Sequence, residues 1–399
     1  MSFVYNPTET HSSQIIIVGG GPVGLFGALC AARRGLAVTL LDRGYRGYAR
    51  GHATLLHPST LRLLAGFDLA AKLLSAGRPV AHVDLHLDAD YCSSLELPTP
   101  ALSVAQSAFE EIMLHELRLE EVEIDSPWTA TGFTQTTAGV EVHATRREVV
   151  PLGSPMRKSD WQPVQSSLLH AEFLIGADGR ESVVRSGLGI ETTSAGERET
   201  YAMFEGPRSM PRLDFELSFS HGLGGVTLPL ANDCARWGFQ LESGTELRPD
   251  IDHLRALLSE RAAWEPDPPE LLHWAKVTHF DRYLARRFGR GRVWLAGDAA
   301  HVTSPFGGQS VNAGLLEIHE LIEHMAGCLA GKDTLESLDR LAARREREWQ
   351  KLLGFDVRLE PRPSTPKAVV DYARRIVPAL PGSGRDLQHM LAQLGLTVY

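Results

Sequence analysis

The sequence predicts an α/β protein of two lobes with a helical C-terminal segment. Three observations carry this: a βαβ pattern ending at Asp42, strict apolar/polar alternation from about Val80, and two later buried strands that each run into a glycine and an aspartate. At 399 residues, 43% of them hydrophobic, the chain can bury one large core or two of ordinary size.

The elements follow in order. Gln14 to Val18 is a β-branched run that enters Gly19-Gly20-Gly21-Pro22-Val23-Gly24, and Pro22 to Arg34 then carries small and apolar residues at helical spacing. Gly35 ends that helix, Ala37 to Leu41 reads as a second buried strand finishing at Asp42, and Pro58 to Leu64 as a further helix. Val83, Leu85 and Leu87 alternate with His82, Asp84, His86 and Asp88, which opens a second, antiparallel sheet. Ala105 to Leu119 returns to helical periodicity, and Ser126 to Ala144 to strands around a turn at Ala138-Gly139. Val149 to Gln165, with two prolines and mixed charge, reads as a surface loop.

Glu172 to Gly176 is a short buried strand delivering Asp178-Gly179. Strands such as Val226 to Leu230 and Trp237 to Leu241 alternate with turns between Thr200 and Asp281, with a breaker at Trp264 to Pro269. Arg292 to Ala296 is a last buried strand entering Gly297-Asp298-Ala299-Ala300-His301, and His301 is expected to order that loop. Helical patterns cover Val311 to Ala330 and Leu335 to Leu353; the mixed charges Arg340 to Glu348 read as a solvated helix face. Glu360 to Pro366 reads as a linker before a short tail that is helical at most.

Bulk properties narrow the function. A formal charge of -9 argues against a nucleic-acid partner held by phosphate contacts. Four scattered cysteines without metal-like spacing, no signal-peptide pattern and no apolar run of membrane-spanning length together predict a reduced, cytoplasmic protein without a membrane span. The 16 histidines form no metal-ligand pattern.

In the first loop, Gly19 permits the tight turn, Gly21 lets the backbone approach a pyrophosphate, and Gly24 lets the helix pack closely on the sheet. Phosphates then meet a helix N-terminus, where free N–H groups and the dipole favour negative charge. Asp42, at the end of the second strand, is placed to accept from a ribose diol. The loop does not say which dinucleotide is bound.

The remaining signatures do. Phe173 to Arg185 resembles the Asp-Gly motif of the class A flavoprotein monooxygenases, the para-hydroxybenzoate hydroxylase family. Arg292 to Gly314, with Gly-Asp-Ala-Ala-His, Pro305, Gly307-Gly308-Gln309 and Asn312, resembles their other hallmark. The resemblance implies a Rossmann-like FAD-binding domain over 11–78, 101–190 and 286–345, a mostly antiparallel β-sheet substrate domain over 79–100 and 191–285, and a C-terminal helical segment over 346–399. It also implies an enzyme, monomer or homodimer, that uses FAD, NADH or NADPH as a transient reductant, and O2. Such an enzyme inserts one oxygen atom into a small cyclic, aromatic substrate by hydroxylation or epoxidation through a flavin C4a-hydroperoxide.

Carried over residue by residue, it places Gly19, Gly21, Pro22, Val23, Gly24, Asp42, Arg43, Arg50 and Gln106 with Asp178 and Gly179 at the cofactor. Gly297 and Asp298 fall to the flavin's ribityl or phosphate portion, and Gly307, Gly308, Gln309 and Asn312 to its ring, with Pro305 beside them as a catalytic candidate. Phe204, Trp237, Phe239 and Phe306 are the candidate substrate pocket. With no arginine cluster declaring a carboxylate anchor, a lipophilic ring of secondary metabolism is the expected substrate, while Arg212 and Arg236 keep a carboxylate open. A flavin halogenase of the same fold would carry Trp-x-Trp-x-Ile-Pro, which none of the seven tryptophans supplies. A flavin-dependent reductase of isoprenoid chains would lack the Asp-Gly and Gly-Gly-Gln pair, and a non-enzymatic dinucleotide module has no reason to carry all three contacts.

One departure stands out. Where many relatives have arginine followed by alanine, this chain has His52-Ala53, with Arg50 two residues away. A histidine titrates near neutral pH and is therefore a catalytic candidate rather than a permanent cation. His52→Ala is expected to weaken FAD retention or to raise uncoupled peroxide release, read by flavin absorbance and a peroxide assay; no change in either would refute a role for His52.

Overall fold

The computed structural model describes residues 12–44, 53–88, 91–152, 158–208, 214–245, 247–265, 268–353 and 359–398. With strands and helices numbered along the chain, the first sheet is parallel at its centre, in the order β6 (Glu123–Asp125), β2 (Val38–Leu41), β1 (Ser12–Val18), β9 (Lys158–Gly176), β18 (Val293–Leu295). β17 (Gly289–Arg290) adds an antiparallel edge, and β7 (Trp128–Gln135) and β8 (Val140–Leu152) pair antiparallel onto β9. Continuous apolar runs at β1 and β2 are what a sheet covered on both faces requires.

One face of that sheet is covered by α1 (Pro22–Ala32), α4 (Gln106–Leu119) and α7 (Gln309–Leu329), with α2 (Pro58–Ala65) and α3 (Ala70–Ala76) at the margin. α1 is apolar all round and buried from Gly24 to Ala31, because it lies between the sheet and α7. The other face packs on α5 (Val183–Gly187) and on Trp349 of α8 (Leu335–Leu352). A three-stranded sheet of β10 (Thr192–Ser194), β16 (Tyr283–Ala285) and β19 (His301–Val302) links this body to the second.

The second sheet runs β15 (Trp274–Phe280), β11 (Glu199–Pro207), β14 (Cys234–Leu241), β13 (Leu223–Leu230), β12 (Phe215–Ser220), β4 (Gly77–Leu87), β5 (Tyr91–Ala105), β3 (Ala53–Leu56). All neighbours are antiparallel except β12 with β4. Its outer face carries α6 (Ile251–Arg261), whose first turn is capped by the Asp250 carboxylate accepting from Asp252 and His253 N–H. Its other face packs against α9 (Lys367–Ala379), α10 (Gly384–Gln393) and the aromatic turn at Phe306.

The α/β architecture expected from the sequence is borne out, with two corrections. Val149 to Gln165 is not a loop: β8 and β9 continue as a two-stranded ribbon from Arg147↔Pro163 to Leu152↔Lys158. A ribbon outside the sheet has free edges, so Pro151 and Pro163 interrupt no central ladder. Nor is Glu360 to Pro366 a linker. β20 (Leu359–Pro361) pairs with β21 (Leu396–Val398), and between them α9 and α10 bury Val369, Ile376, Met390 and Leu391 in the second core. Among the described residues no helix is long and apolar enough to cross a membrane.

A buried ionic cluster pins the outer end of this sheet. Arg208 donates to both oxygens of Glu265 (Nε 2.9 Å, Nη2 2.5 Å) and to Glu216 (2.9 Å), which also accepts from Trp264 Nε1 at 2.5 Å. All three charged residues are buried, and desolvation raises the Glu216 pKa against the pull of Arg208. Arg208→Met would strand two buried carboxylates, so the urea midpoint should fall by the equivalent of about 3–5 kcal/mol. A midpoint matching that of the parent would mean that water reaches the cluster.

Candidate active site

Three loops at the carboxyl ends of β1, β9 and β18 converge, as the topology of a parallel sheet dictates. After β1, Gly19 adopts φ +112, and any Cβ there would collide with the Ala177 carbonyl. A Cβ on Gly20 would lie 2.6 Å from the Asp42 carboxyl carbon, so the buried Asp42 packs directly behind the loop. Gly21 has nothing within 4 Å of its Cβ position, although its backbone has an ordinary φ of -77. The space beside it is part of a cavity of about 390 Å³.

Gly21, Pro22 and Val23 line that cavity with Gln106, Ala177, Gly179, Asp298, Pro305 and the stretch Gly307 to Val311. Two helix N-termini, those of α1 and α7, open onto it, and neither is capped by a side chain. Their first-turn N–H groups are therefore available to an anionic or carbonyl-bearing ligand. Asp298 lines the cavity and is exposed within it, and desolvation by the surrounding protein raises its pKa. Asp178 accepts from Val184 N–H at 3.2 Å through one oxygen, while its other oxygen is buried without a partner.

Several predicted residues either stand back from the cavity or line it with their side chains bonded within the protein. Gly24 packs its backbone on Gly19, Gly297 abuts Val23, and Arg43 is exposed. The Gln106 amide donates to Glu110 at 2.7 Å, and the Gln309 amide turns away to Leu380 and Gly382 carbonyls at 2.7 and 3.2 Å. Arg50, His52 and Arg212 lie outside the described residues. His301 is fully buried, donates to Glu317 at 2.5 Å and stacks on Trp349, away from the cavity.

The expected aromatic pocket is corrected by strand parity. Phe204, Trp237 and Phe239 all point to the outer face of the second sheet, where they pack with Leu254 and Leu258 of α6. Their neighbours Met203 and Arg236 face the cavity instead, with Phe215, Val226, Leu228 and Phe280. Successive side chains alternate faces, so an error of one residue moves the whole set. Phe306 leaves the cavity too, meeting Tyr201 and Phe219 edge-on in the second core.

The turn before α7 is held from three sides. Gly307 and Gly308 both take left-handed φ, 71 and 65. His57 donates from Nε2 to the Gly307 carbonyl at 2.5 Å, and Asn312 bridges His57 N–H (2.7 Å), the Leu55 carbonyl (2.6 Å) and the Gly308 carbonyl (2.8 Å). His57 is fully buried, which lowers its pKa to about 4 despite its bond to Gly307.

Comparison with known proteins settles the family. A model described as "FAD binding domain" matches residues 12–356. The chain belongs to the FAD-binding domain family. Among its relatives is 6-methylpretetramide 4-monooxygenase of Streptomyces rimosus, 28% identical over 348 residues that cover 85% of this chain and 60% of that protein. This FAD-binding protein also superposes on p-nitrophenol 4-monooxygenase PnpA from Pseudomonas putida DLL-E4 with a TM-score of 0.72 at 19% identity, covering 96% of this chain and 93% of the other. A ternary complex of aklavinone-11 hydroxylase with FAD and aklavinone gives 0.67 at 23% identity, over 84% and 66%. The resemblance of the three signatures to class A flavoprotein monooxygenases is thus borne out at the level of family, and FAD is the cofactor.

The site fits that group on its own chemistry: open space at Gly21, uncapped N–H groups at α1 and α7, and an unpartnered Asp178 oxygen. What the sequence missed are the apolar cavity residues of the second sheet and His57 with its turn.

The buried neutral His57 has a stability signature. Its folded pKa of about 4 lies below its ordinary value of 6.5, so its contribution is fully present above pH 6.5 and is lost as the pH falls towards 4. That loss should reach roughly 3 kcal/mol. Urea unfolding across this pH range should show a shallower dependence for His57→Gln, and identical slopes would place the titration elsewhere.

Proposed function

We propose that this chain is an FAD- and NAD(P)H-dependent monooxygenase that inserts one oxygen atom from O2 into a small cyclic, aromatic substrate by hydroxylation or epoxidation. The observation that carries the reading is the continuity of the cavity. One volume runs from the phosphate-type loop at Gly21 to Val23, past Asp298 and under the Pro305 to Gly308 turn, to the apolar wall of Met203, Phe215, Val226, Leu228 and Phe280. A cofactor loop and a ring-sized apolar chamber share one interior. Because the chain spans 60% of the length of its relative from Streptomyces rimosus, the activity rests on this geometry as well as on kinship.

Bound FAD supplies the redox chemistry, taking reducing equivalents from a visiting nicotinamide and passing them to O2. The protein's part is binding, orientation and the exclusion of water. First-turn N–H groups of α1 would hold the pyrophosphate, Asp42 the adenosine ribose, and Asp298 the ribityl portion. The N-terminus of α7 opens its positive end onto the cavity, where it would stabilise negative charge on a reduced flavin held there. The apolar wall keeps water from the reacting centre. The parallel sheet with its helices would form the cofactor domain and the antiparallel sheet the substrate domain.

Two measurements test this. The purified protein should be yellow, and should oxidise NADH or NADPH faster when phenols, quinolones or polyketide rings are added. Gly21→Val adds a side chain where the protein leaves open space at an ordinary φ, so folding should be unaffected while FAD affinity falls about tenfold or more. A colourless protein, or a Gly21→Val variant that binds FAD like the parent, would overturn the assignment.

A further inference from the structure

The cavity wall supplied by β11 to β15 is apolar except at one place. Arg236, on β14, lines the cavity and is 4% exposed. Cross-strand pairing sets Leu228, Arg236, Glu205 and Trp274 in one row across β13, β14, β11 and β15. The Arg236 guanidinium donates from Nη2 to Glu205 and lies 4.9 Å from the centroid of the Trp274 ring. Two residues along β15, Lys276 stands opposite the cavity residue Met203 and brings its ammonium 5.6 Å from the same ring.

This patch has more donors than acceptors. Arg236 Nε is buried without a partner, and so is Trp274 Nε1. Lys276 forms no hydrogen bond or ion pair among the described residues, and its only attractive contact is with the indole face. The patch thus holds two cations and one carboxylate, Glu205, which pairs with Arg236 alone, so one positive charge is left in surplus. Burial lowers the pKa of both, and for Lys276 the neighbouring Arg236 adds to the effect. A buried guanidinium with an unfilled N–H, set among the apolar residues that β11 to β15 turn to the cavity, is costly unless a ligand completes it.

We propose that Arg236, backed by Lys276, is an anchor for a delocalised oxyanion on the substrate, a carboxylate or an acidic phenolate or enolate, carried on the aromatic ring. This rests on the monooxygenase reading above and narrows its substrate class: the molecule is an amphipathic ring system with one ionised oxygen group, not a wholly lipophilic one. Met203, Val226, Leu228 and Phe280 take the ring, while the guanidinium fork takes the oxyanion through charge-assisted hydrogen bonds. The planar fork can meet the two oxygens of a carboxylate with two parallel hydrogen bonds and can converge its N–H groups on the single oxygen of a phenolate.

Matched acid and neutral probes test the anchor on the FAD-loaded protein, read by perturbation of the flavin spectrum on titration. 2-Naphthoate is compared with its methyl ester, and pentafluorophenol, ionised at neutral pH, with pentafluoroanisole. At least one anion should bind about tenfold more tightly than its neutral partner. Whichever pair shows the preference identifies carboxylate or phenolate as the group recognised. Arg236→Met should abolish the preference while leaving neutral-probe affinity within about twofold. Since that variant strands Glu205, the Arg236→Met/Glu205→Gln pair and Lys276→Met, which strands no carboxylate, serve as independent checks, the latter with a loss of about threefold for the anion. Equal binding within both pairs, no anion binding at millimolar concentration, or equal loss of anion and neutral probe in the variants would each overturn the proposal. Failure to retain FAD would instead strike the parent reading, because it is recorded before any probe is added.

Discussion

Asn312 holds three separate parts of the chain at once. Its carbonyl accepts from the His57 N–H at the start of α2, and its amide donates to Leu55 in β3 and to Gly308 in the turn before α7. β3 belongs to the antiparallel sheet, while α2 and α7 pack against the parallel one. The single side chain thus ties the two sheets together beside the cavity. The bonds to His57 and Leu55 are buried and that to Gly308 is half-buried, so losing the amide would leave buried polar groups unpaired.

The glycines beside Asn312 are as constrained as the bonds. A Cβ on Gly307 would lie 2.6 Å from the Ala379 carbonyl, and one on Gly308 would lie 2.8 Å from the Leu55 carbonyl. Both residues also take left-handed φ, which side chains disfavour. The turn is therefore closed on one side by β3 and on the other by the C-terminal segment. At Gly307 and Gly308 it presents backbone to the cavity.

Sequence reasoning reached the parallel half of the molecule well because its signals are local. The β-branched run into Gly19, the acid at Asp42, and the short strands ending at Asp178 and Asp298 each declare their own place, and the structure gathers their loops at one end of the sheet. The antiparallel half was legible as strands but not as faces. Phe204, Trp237 and Phe239 look like a pocket because they are large and aromatic, yet α6 covers them. That helix had left a signal in Asp250 followed by Ile251, Leu254 and Leu258, and reading it would have assigned the aromatic face to a core and Met203 and Arg236 to the chamber. The roles of His57 and Gln309 were not legible at all, since their partners lie 250 and more than 70 residues away.

The C-terminal segment has the same physical lesson. Pro361, Pro363 and Pro366 give it the composition of a linker, and only its partners show otherwise. α9 and α10 are amphipathic, and their apolar faces complete the second core that also holds Tyr201 and Phe306. The Leu380 and Gly382 carbonyls then receive the Gln309 amide at the very start of α7. The segment lies beyond the 12–356 span matched by the family, yet it touches the same turn that β3 and α2 hold. A turn fixed by contacts so distant in sequence depends on both sheets and on the tail. Its integrity is therefore coupled to global folding rather than to local helix stability. It follows that substitutions in α9 or α10 that leave the parallel sheet intact reach the Gly307 to Gln309 end of the cavity before they reach the Gly19 to Gly21 loop, which packs against β2, Ala177 and Asp42.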